Sequence, residues 1–264
     1  MEDFVSSAPD QLRLVRLVPE GKPDDVAGPG HRQVIGWLGA ALPVAIVGLD
    51  RLRPTPGLTP DELTSISAYY YSSGVIAFAG VLSALTVYLL TYRGYDTPDG
   101  WKDRRASRIA AVSGALVVFF PTDPPGDTPD PSWWRELIGQ IHYGAAIVFF
   151  LCFVYFCLFR FTKSGRPKDE WDRAKRFRNA LFLACGVGIA LALGSAALAG
   201  RAGEPIFWQE VVAIELFALS WLVKGHAIQT AQRTAQRGLY YVTHPGDAVV
   251  GLGRAIRGGP SGDL

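Results

Sequence analysis

The stretch GQIHYGAAIVFFLCFVYFCLF, Gly139 to Phe159, holds no charged side chain. At about 1.5 Å of rise per residue it is long enough as a helix to cross the ~30 Å of hydrocarbon in a bilayer. It is followed at once by RFTKSGRPKDEWDRAKRFR, where Arg160, Lys163, Arg166, Lys168, Arg173, Lys175, Arg176 and Arg178 crowd into one connection. An uncharged span ending in a basic loop is the signature of a membrane helix leaving on the cytoplasmic side.

Five further apolar stretches flank this one: Gln33 to Leu49, Ser73 to Tyr92, Ser107 to Phe120, Asn179 to Gly200 and Phe207 to Val223. If all six cross, alternate connections fall on opposite sides. The distribution of charge then has to agree. Of the 26 basic residues, only Arg51, Arg53, Arg135 and Arg201 lie on the side of the first, third and fifth connections; all the others lie on the side of the termini and the second and fourth connections. The pattern predicts an all-α, polytopic bundle of six transmembrane helices with both termini cytoplasmic. It also requires the third stretch to cross. Its uncharged core, Ile109 to Phe120, is short, so the helix is expected to start near Arg104, with Arg104, Arg105 and Arg108 reaching back to the headgroups.

Composition supports this class, with 49% hydrophobic residues and a net charge of only +2. The basic clusters therefore speak of topology and contact with anionic lipid rather than of nucleic acid. Residues 1–32 read as a polar cytoplasmic tail, in which Leu12, Leu14, Val15, Leu17 and Val18 outline a short interfacial helix. The tail has no apolar core of a cleaved leader, so the first span is expected to act as an uncleaved signal anchor. Residues 33–229 form the transmembrane domain, and the Gly-rich residues 230–264 a largely disordered cytoplasmic tail. Cys152, Cys157 and Cys185 lie within spans and are expected to be buried free thiols.

Between the first two spans, Thr59, Pro60 and Glu62 have the spacing of a capped helix start, which would carry Ser65 and Tyr69 down into the second span. Small residues recur at helical spacing as Ser73, Ala77, Gly80 and Ala84, and as Gly186, Ala190 and Gly194. Such faces let helix backbones approach closely in lipid. Pro43 sits inside the first span as a candidate kink.

Polar groups at membrane depth are costly, and they tend to face the bundle interior or a water-filled cavity. Tyr69, Tyr70, Tyr71, Ser72 and Ser73 enter the second span from the outer side, Thr122 and Asp123 close the third, Gln140, His142 and Tyr143 open the fourth, and Trp208, Gln209 and Glu210 open the sixth. These predict one outer polar cluster in which Tyr69, Ser73, Asp123, His142 and Glu210 are candidate ligand-binding residues, with Glu215, deeper in the sixth span, as a further candidate. Each has a plainer reading. His142 serves equally as a hydrogen-bonded link between helices, Glu210 as a carboxylate favouring a helix N-terminus, and the tyrosines as interfacial anchors. Glu215 lies about 12 Å beyond Phe207 along its helix and about 140° around from Glu210. At that depth it must be protonated, paired or hydrated, and it is expected to face the bundle with a hydroxyl or backbone partner. On the cytoplasmic side, Arg93, Tyr95 and Asp96 are expected to cap the second span and pair locally.

The succession SISAYYYSS (65–73), YRGYD (92–96), FPTD (120–123), IHYGAAIVFF (141–150), RFTKSG (160–165), FWQE (207–210) and SWLVKG (220–225) resembles an uncharacterised family of bacterial six-helix membrane proteins, from about Leu63 to Gly225. More distantly it is similar to the DRAM and Sfk group of six-span proteins. Its Ser, Asp and His at one membrane face also resemble the CREST membrane hydrolases, which implies chemistry on lipids. Those enzymes bind zinc through several histidines. Here only His142 lies in the outer layer, with His31, His226 and His244 on the other side, and a set of Asp123, His142 and Glu210 is oxygen-rich for Zn²⁺. No metal or other cofactor is therefore expected.

Two classes of function stay open beside a structural or assembly role. One is binding, or a transport-related role, for a lipid headgroup or small molecule in an outer cavity. The other is a lipid-directed hydrolase, with His142 or Glu210 activating water and Ser73 or Tyr69 stabilising charge. The expected partners are membrane lipids and such a ligand. No Walker motif, dinucleotide fingerprint or nucleic-acid module is present in the sequence.

Overall fold

The computed structural model describes residues 28–95, 97–126, 130–163 and 171–226. Among these, six long helices follow one another with no strand between them: α1 Gly28–Leu52, α2 Val75–Thr91, α3 Gly100–Phe119, α4 Glu136–Tyr155, α5 Arg173–Arg201 and α6 Phe207–Lys224. Each coincides with one of the apolar stretches. They belong to one compact unit, Gly21–Gly225; a second unit, Met1–Glu20 with His226–Leu264, lies outside the described residues apart from His226. The expected interfacial helix near Leu12, the disordered C-terminal tail and Asp96 also fall outside them.

Every helix packs on its neighbours in sequence, and α6 returns to α1. The helices therefore close into a ring. Where α1 meets α6 the backbones come very near: a Cβ added at Gly36 would lie 2.6 Å from Leu222 Cγ. Gly114 of α3 receives Thr86 and Phe149, and Gly186 of α5 receives Leu158, at similar range. Small residues at contacts replace the hydrophobic driving force that lipid removes. The small faces expected from spacing are only partly the ones used. Gly80, Ala190 and Gly194 are exposed, and Gly80 and Gly194 have open space around them, because the ring turns those flanks outward.

Aromatic rings fill the interior. Phe153 stacks on Phe217 with centroids 3.7 Å apart, and Trp221, wholly buried, meets Tyr92, Phe156 and Phe161 edge-on at 5.0–5.3 Å. All three cysteines are buried and free, as composition suggested. Large apolar side chains also face outward: Trp37, Val44, Val112, Leu151, Leu191 and Trp208 are exposed on five different helices. A monomer in water rarely shows so continuous an apolar surface. Gly28–Leu52, Glu136–Arg160 and Arg173–Arg201 are each long and apolar enough to cross a membrane.

Two helices depart from the simplest pattern. In α3 the helix begins at Gly100, one turn earlier than Arg104, so that Lys102, Asp103, Arg104, Arg105 and Arg108 all ride on it. In α2 only 17 residues are helical, about 25 Å at 1.5 Å each. The segment before it is not the continuous helix expected from the Thr59 cap. It forms two separate 3₁₀ turns, Pro60–Glu62 and Ser67–Tyr71, with extended backbone at Ser72. The cap itself is present, since the Glu62 carboxylate accepts both the Thr59 N–H and hydroxyl at 2.6 Å. These two bonds, the hydroxyl's first, hold the Glu62 carboxyl below its ordinary value. Glu62 also abuts Gly126, whose positive φ of 64° and lack of a Cβ let the opposite loop pass against the carboxylate.

Candidate functional site

The broken segment from Leu63 to Gly74 organises one end of the ring. Polar side chains from two helices and a loop bond to it. Glu210, in the first turn of α6, accepts the backbone N–H of Ile66 at 2.6 Å, and next to it the Ile206 N–H donates to the Thr64 carbonyl. Both contacts serve backbone groups that a continuous helix would have paired within itself. His142, buried at 2% exposure on α4, bonds to Ser67 Oγ through Nε2 at 2.9 Å and to the Phe120 carbonyl through Nδ1 at 2.7 Å. A carbonyl only accepts, so Nδ1 carries the proton and Nε2 takes the Ser67 hydroxyl hydrogen.

Alongside, the Tyr71 hydroxyl donates to the Thr122 carbonyl at 2.7 Å, and Tyr143 receives the Thr122 hydroxyl at 3.0 Å while donating to Asp123 at 3.2 Å. Asp123 lies directly over Gly139, where a Cβ would come within 2.3 Å of its Oδ1. The negative charge thus sits at the N-terminal turn of α4, where the helix dipole favours it.

Of the candidates, His142, Glu210 and Asp123 reach this end together. His142 and Glu210 are tied to consecutive residues, Ser67 and Ile66, about 3.8 Å apart along the chain. Tyr69 is buried with its ring 5.8 Å from Phe207. Ser73 bonds to the first loop instead: its N–H donates to Thr55 Oγ1 at 2.9 Å and its hydroxyl lies 3.4 Å from the same oxygen. Glu215 is half-buried on α6 and makes no hydrogen bond to another described residue, so the expected hydroxyl or backbone partner is not there. Its 140° offset turns it from the loop that serves Glu210. The serine that meets His142 is Ser67, which spacing alone does not distinguish from its neighbours. Its signal is visible only once the helix is known to break. Among the described residues no three His, Cys, Asp or Glu side chains cluster as metal ligands.

Glu210 keeps an asymmetry. One of its oxygens holds Ile66, and the other has no hydrogen-bond partner among the described residues, although the side chain is only half-buried. Asp123, exposed at the same end, is a second carboxylate with acceptor capacity.

The opposite end is built from charges. Arg160, in a π turn that closes α4 at Phe156–Arg160, forms a buried ion pair with Asp103 of α3 and donates to the Asp99 carbonyl at 3.0 Å. Arg32, counted from sequence as a residue of the N-terminal tail, lies one turn inside α1 and is 1% exposed. Its guanidinium donates to the Tyr92 hydroxyl and covers the Tyr95 ring at 4.7 Å. Lys224 also lies against Tyr95, at 5.3 Å, and donates to the Phe161 carbonyl. Tyr95 thus serves two cations across the bundle rather than capping α2 alone.

The chain belongs to the family of proteins of unknown function DUF998, whose family model matches residues 62–222. That span nearly coincides with the motif resemblance and covers the broken segment, His142 and Glu210. No curated protein and no solved structure matches the chain. The fainter likeness to the DRAM, Sfk and CREST groups accordingly rests on the quoted motifs.

Proposed function

We propose that this protein is a six-span bacterial inner-membrane protein, both termini cytoplasmic, that binds a lipid headgroup or small polar molecule at its outer end. The observation that carries the reading is the Leu63–Gly74 segment. Since α2 alone is shorter than the hydrocarbon layer, the non-helical backbone before it falls near membrane depth. Such backbone is tolerated only where protein buries it or where it lines a cavity. Here Glu210 of α6 and His142 of α4 hold it, and the second Glu210 oxygen is left for a guest. A ligand with cationic or donor groups suits that carboxylate and Asp123, and a membrane supplies such groups in amine headgroups.

Orientation is tested by single cysteines placed at Asp130 and Asp172 and exposed to an impermeant thiol reagent on intact cells. The native thiols are buried, so the signal comes from the introduced one. Asp130 is expected to label and Asp172 to stay protected; equal labelling overturns the topology. Binding is tested by mass spectrometry of lipids and small molecules retained after mild-detergent purification. Glu210→Gln is expected to retain at least tenfold less of the bound species than wild type, while remaining folded. Undiminished retention would place the ligand elsewhere.

A further inference from the structure

We propose that Ser67 and His142 form a nucleophile and base pair acting on the acyl ester of a lipid. The inference deepens the binding reading above and rests on its membrane setting. A hydroxyl becomes a useful nucleophile when a neutral imidazole accepts its hydrogen and a third group fixes the ring. All three parts are here. Ser67 Oγ lies 2.9 Å from Nε2, and the Phe120 carbonyl holds Nδ1 at 2.7 Å. That carbonyl also fixes the tautomer, because an imidazole with its proton on Nδ1 can only accept from Ser67. Without Phe120 the pair would have no fixed direction.

Position decides the substrate class. Ser67 opens a 3₁₀ turn just before α2; in the membrane setting proposed above, that is the depth where the ester linkages of a lipid meet the headgroup layer. It is not on a helix interior, where its hydroxyl would turn back to its own carbonyls. Neither Ser72, bonded to Tyr69, nor Ser73, bonded to Thr55, has a base beside it.

The step balances without a redox partner. Ser67 Oγ bonds to the acyl carbon as its proton passes to Nε2; the ester C–O bond breaks, and the departing alcohol oxygen takes that proton. Water then gives a proton to Nε2 and its hydroxyl to the acyl carbon. Ser67 leaves, reclaiming its hydrogen, and a free fatty acid is released. Throughout, Nδ1 keeps its proton and donates it to the Phe120 carbonyl, which steadies the transient imidazolium.

The test is covalent labelling of the full chain, in mild detergent and in lipid nanodiscs, with a long-chain alkyl fluorophosphonate, which replaces a nucleophilic serine's hydrogen and loses fluoride. Peptide mass spectrometry is expected to find the adduct on Ser67, with labelling reduced at least tenfold in His142→Gln and unchanged in Ser195→Ala. A tether between helices would leave Ser67 unmodified. Wild-type protein that retains its lipid yet shows no Ser67 adduct overturns the pair and leaves the binding reading standing. Equal labelling in His142→Gln, with that variant folded, also overturns it. A Ser67 adduct in protein that retains no lipid upholds the pair and removes the binding reading instead. Because the decisive observation is made on wild type, misfolding of His142→Gln does not affect it.

Discussion

The two ends of the ring solve the same problem with different chemistry. Near Arg160 charged side chains are buried against one another and against aromatic rings, Arg160 with Asp103 and Arg32 with Tyr92 and Tyr95. Near His142 the bonds run from neutral or single charged side chains to backbone, Glu210 to Ile66 and Tyr71 to Thr122. Ion pairs lock two helices to each other and leave little unspent. Bonds to the backbone of an irregular segment hold that segment while leaving side-chain atoms, such as the second Glu210 oxygen, available. The first arrangement suits a fixed joint and the second a site.

The sharpest way to break this comparison is at the joint. Asp103→Ala strands the Arg160 guanidinium in a buried position, which typically costs about 3–5 kcal/mol, whereas replacing both partners by apolar residues is far cheaper. Thermal unfolding in detergent is expected to show the single variant strongly destabilised and Asp103→Leu with Arg160→Met largely restored. If the double variant is no better than the single, the pair is not the joint's main tie.

At the other end the same kind of change is expected to do less to stability and more to binding. Glu210→Gln still offers a carbonyl oxygen to the Ile66 N–H, so it exchanges a charge-assisted bond for a neutral one, a loss of about 1 kcal/mol. The same unfolding measurement, set beside the tenfold loss of retained ligand, shows whether this end is a site. A stability loss as large as that of Asp103→Ala would make it a second joint.

How much of this was legible in the residues follows from the kind of signal each feature leaves. The helices sit where the apolar stretches are because a chain in lipid must satisfy its backbone internally, and that requirement acts on composition alone. The broken segment left a misleading signal. Thr59, Pro60 and Glu62 form a genuine cap, yet the turn they start ends after Glu62, because Glu210 and Ile206 of α6 take over its backbone groups. That competition joins residues 144 apart in sequence. Ser67 was hidden for the same reason, since its importance comes from a histidine 75 residues away. Arg32 lies inside α1 although a basic residue near a span end usually marks a loop; the rings of Tyr92 and Tyr95, at the far end of the second span, help to make its burial tolerable. His142, Asp123 and Glu210 were visible because a polar group at membrane depth stands out wherever it lies.

The smallest expected effect separates the buried joint from its exposed rim. Asp99, before α3, pairs with Lys163 and Lys102, and these hydrogen bonds, that of Lys163 first, hold its carboxyl well below the ordinary range, at about 2. A carboxyl lowered in the folded protein adds stability above its unfolded value, near 4, and loses that contribution as pH falls through the folded value. Stability contributed by Asp99 should therefore be complete at neutral pH and fade between about 4 and about 2. Asp99→Asn is expected to remove that part of the acid sensitivity and to change little at pH 7, because water and salt already weaken an exposed pair. Unfolding midpoints followed from pH 7 to pH 2 at low and high salt provide the check. A salt-insensitive loss at neutral pH as large as that of Asp103→Ala would mean that the rim, and not the buried Arg160 pair, holds α3 to α4.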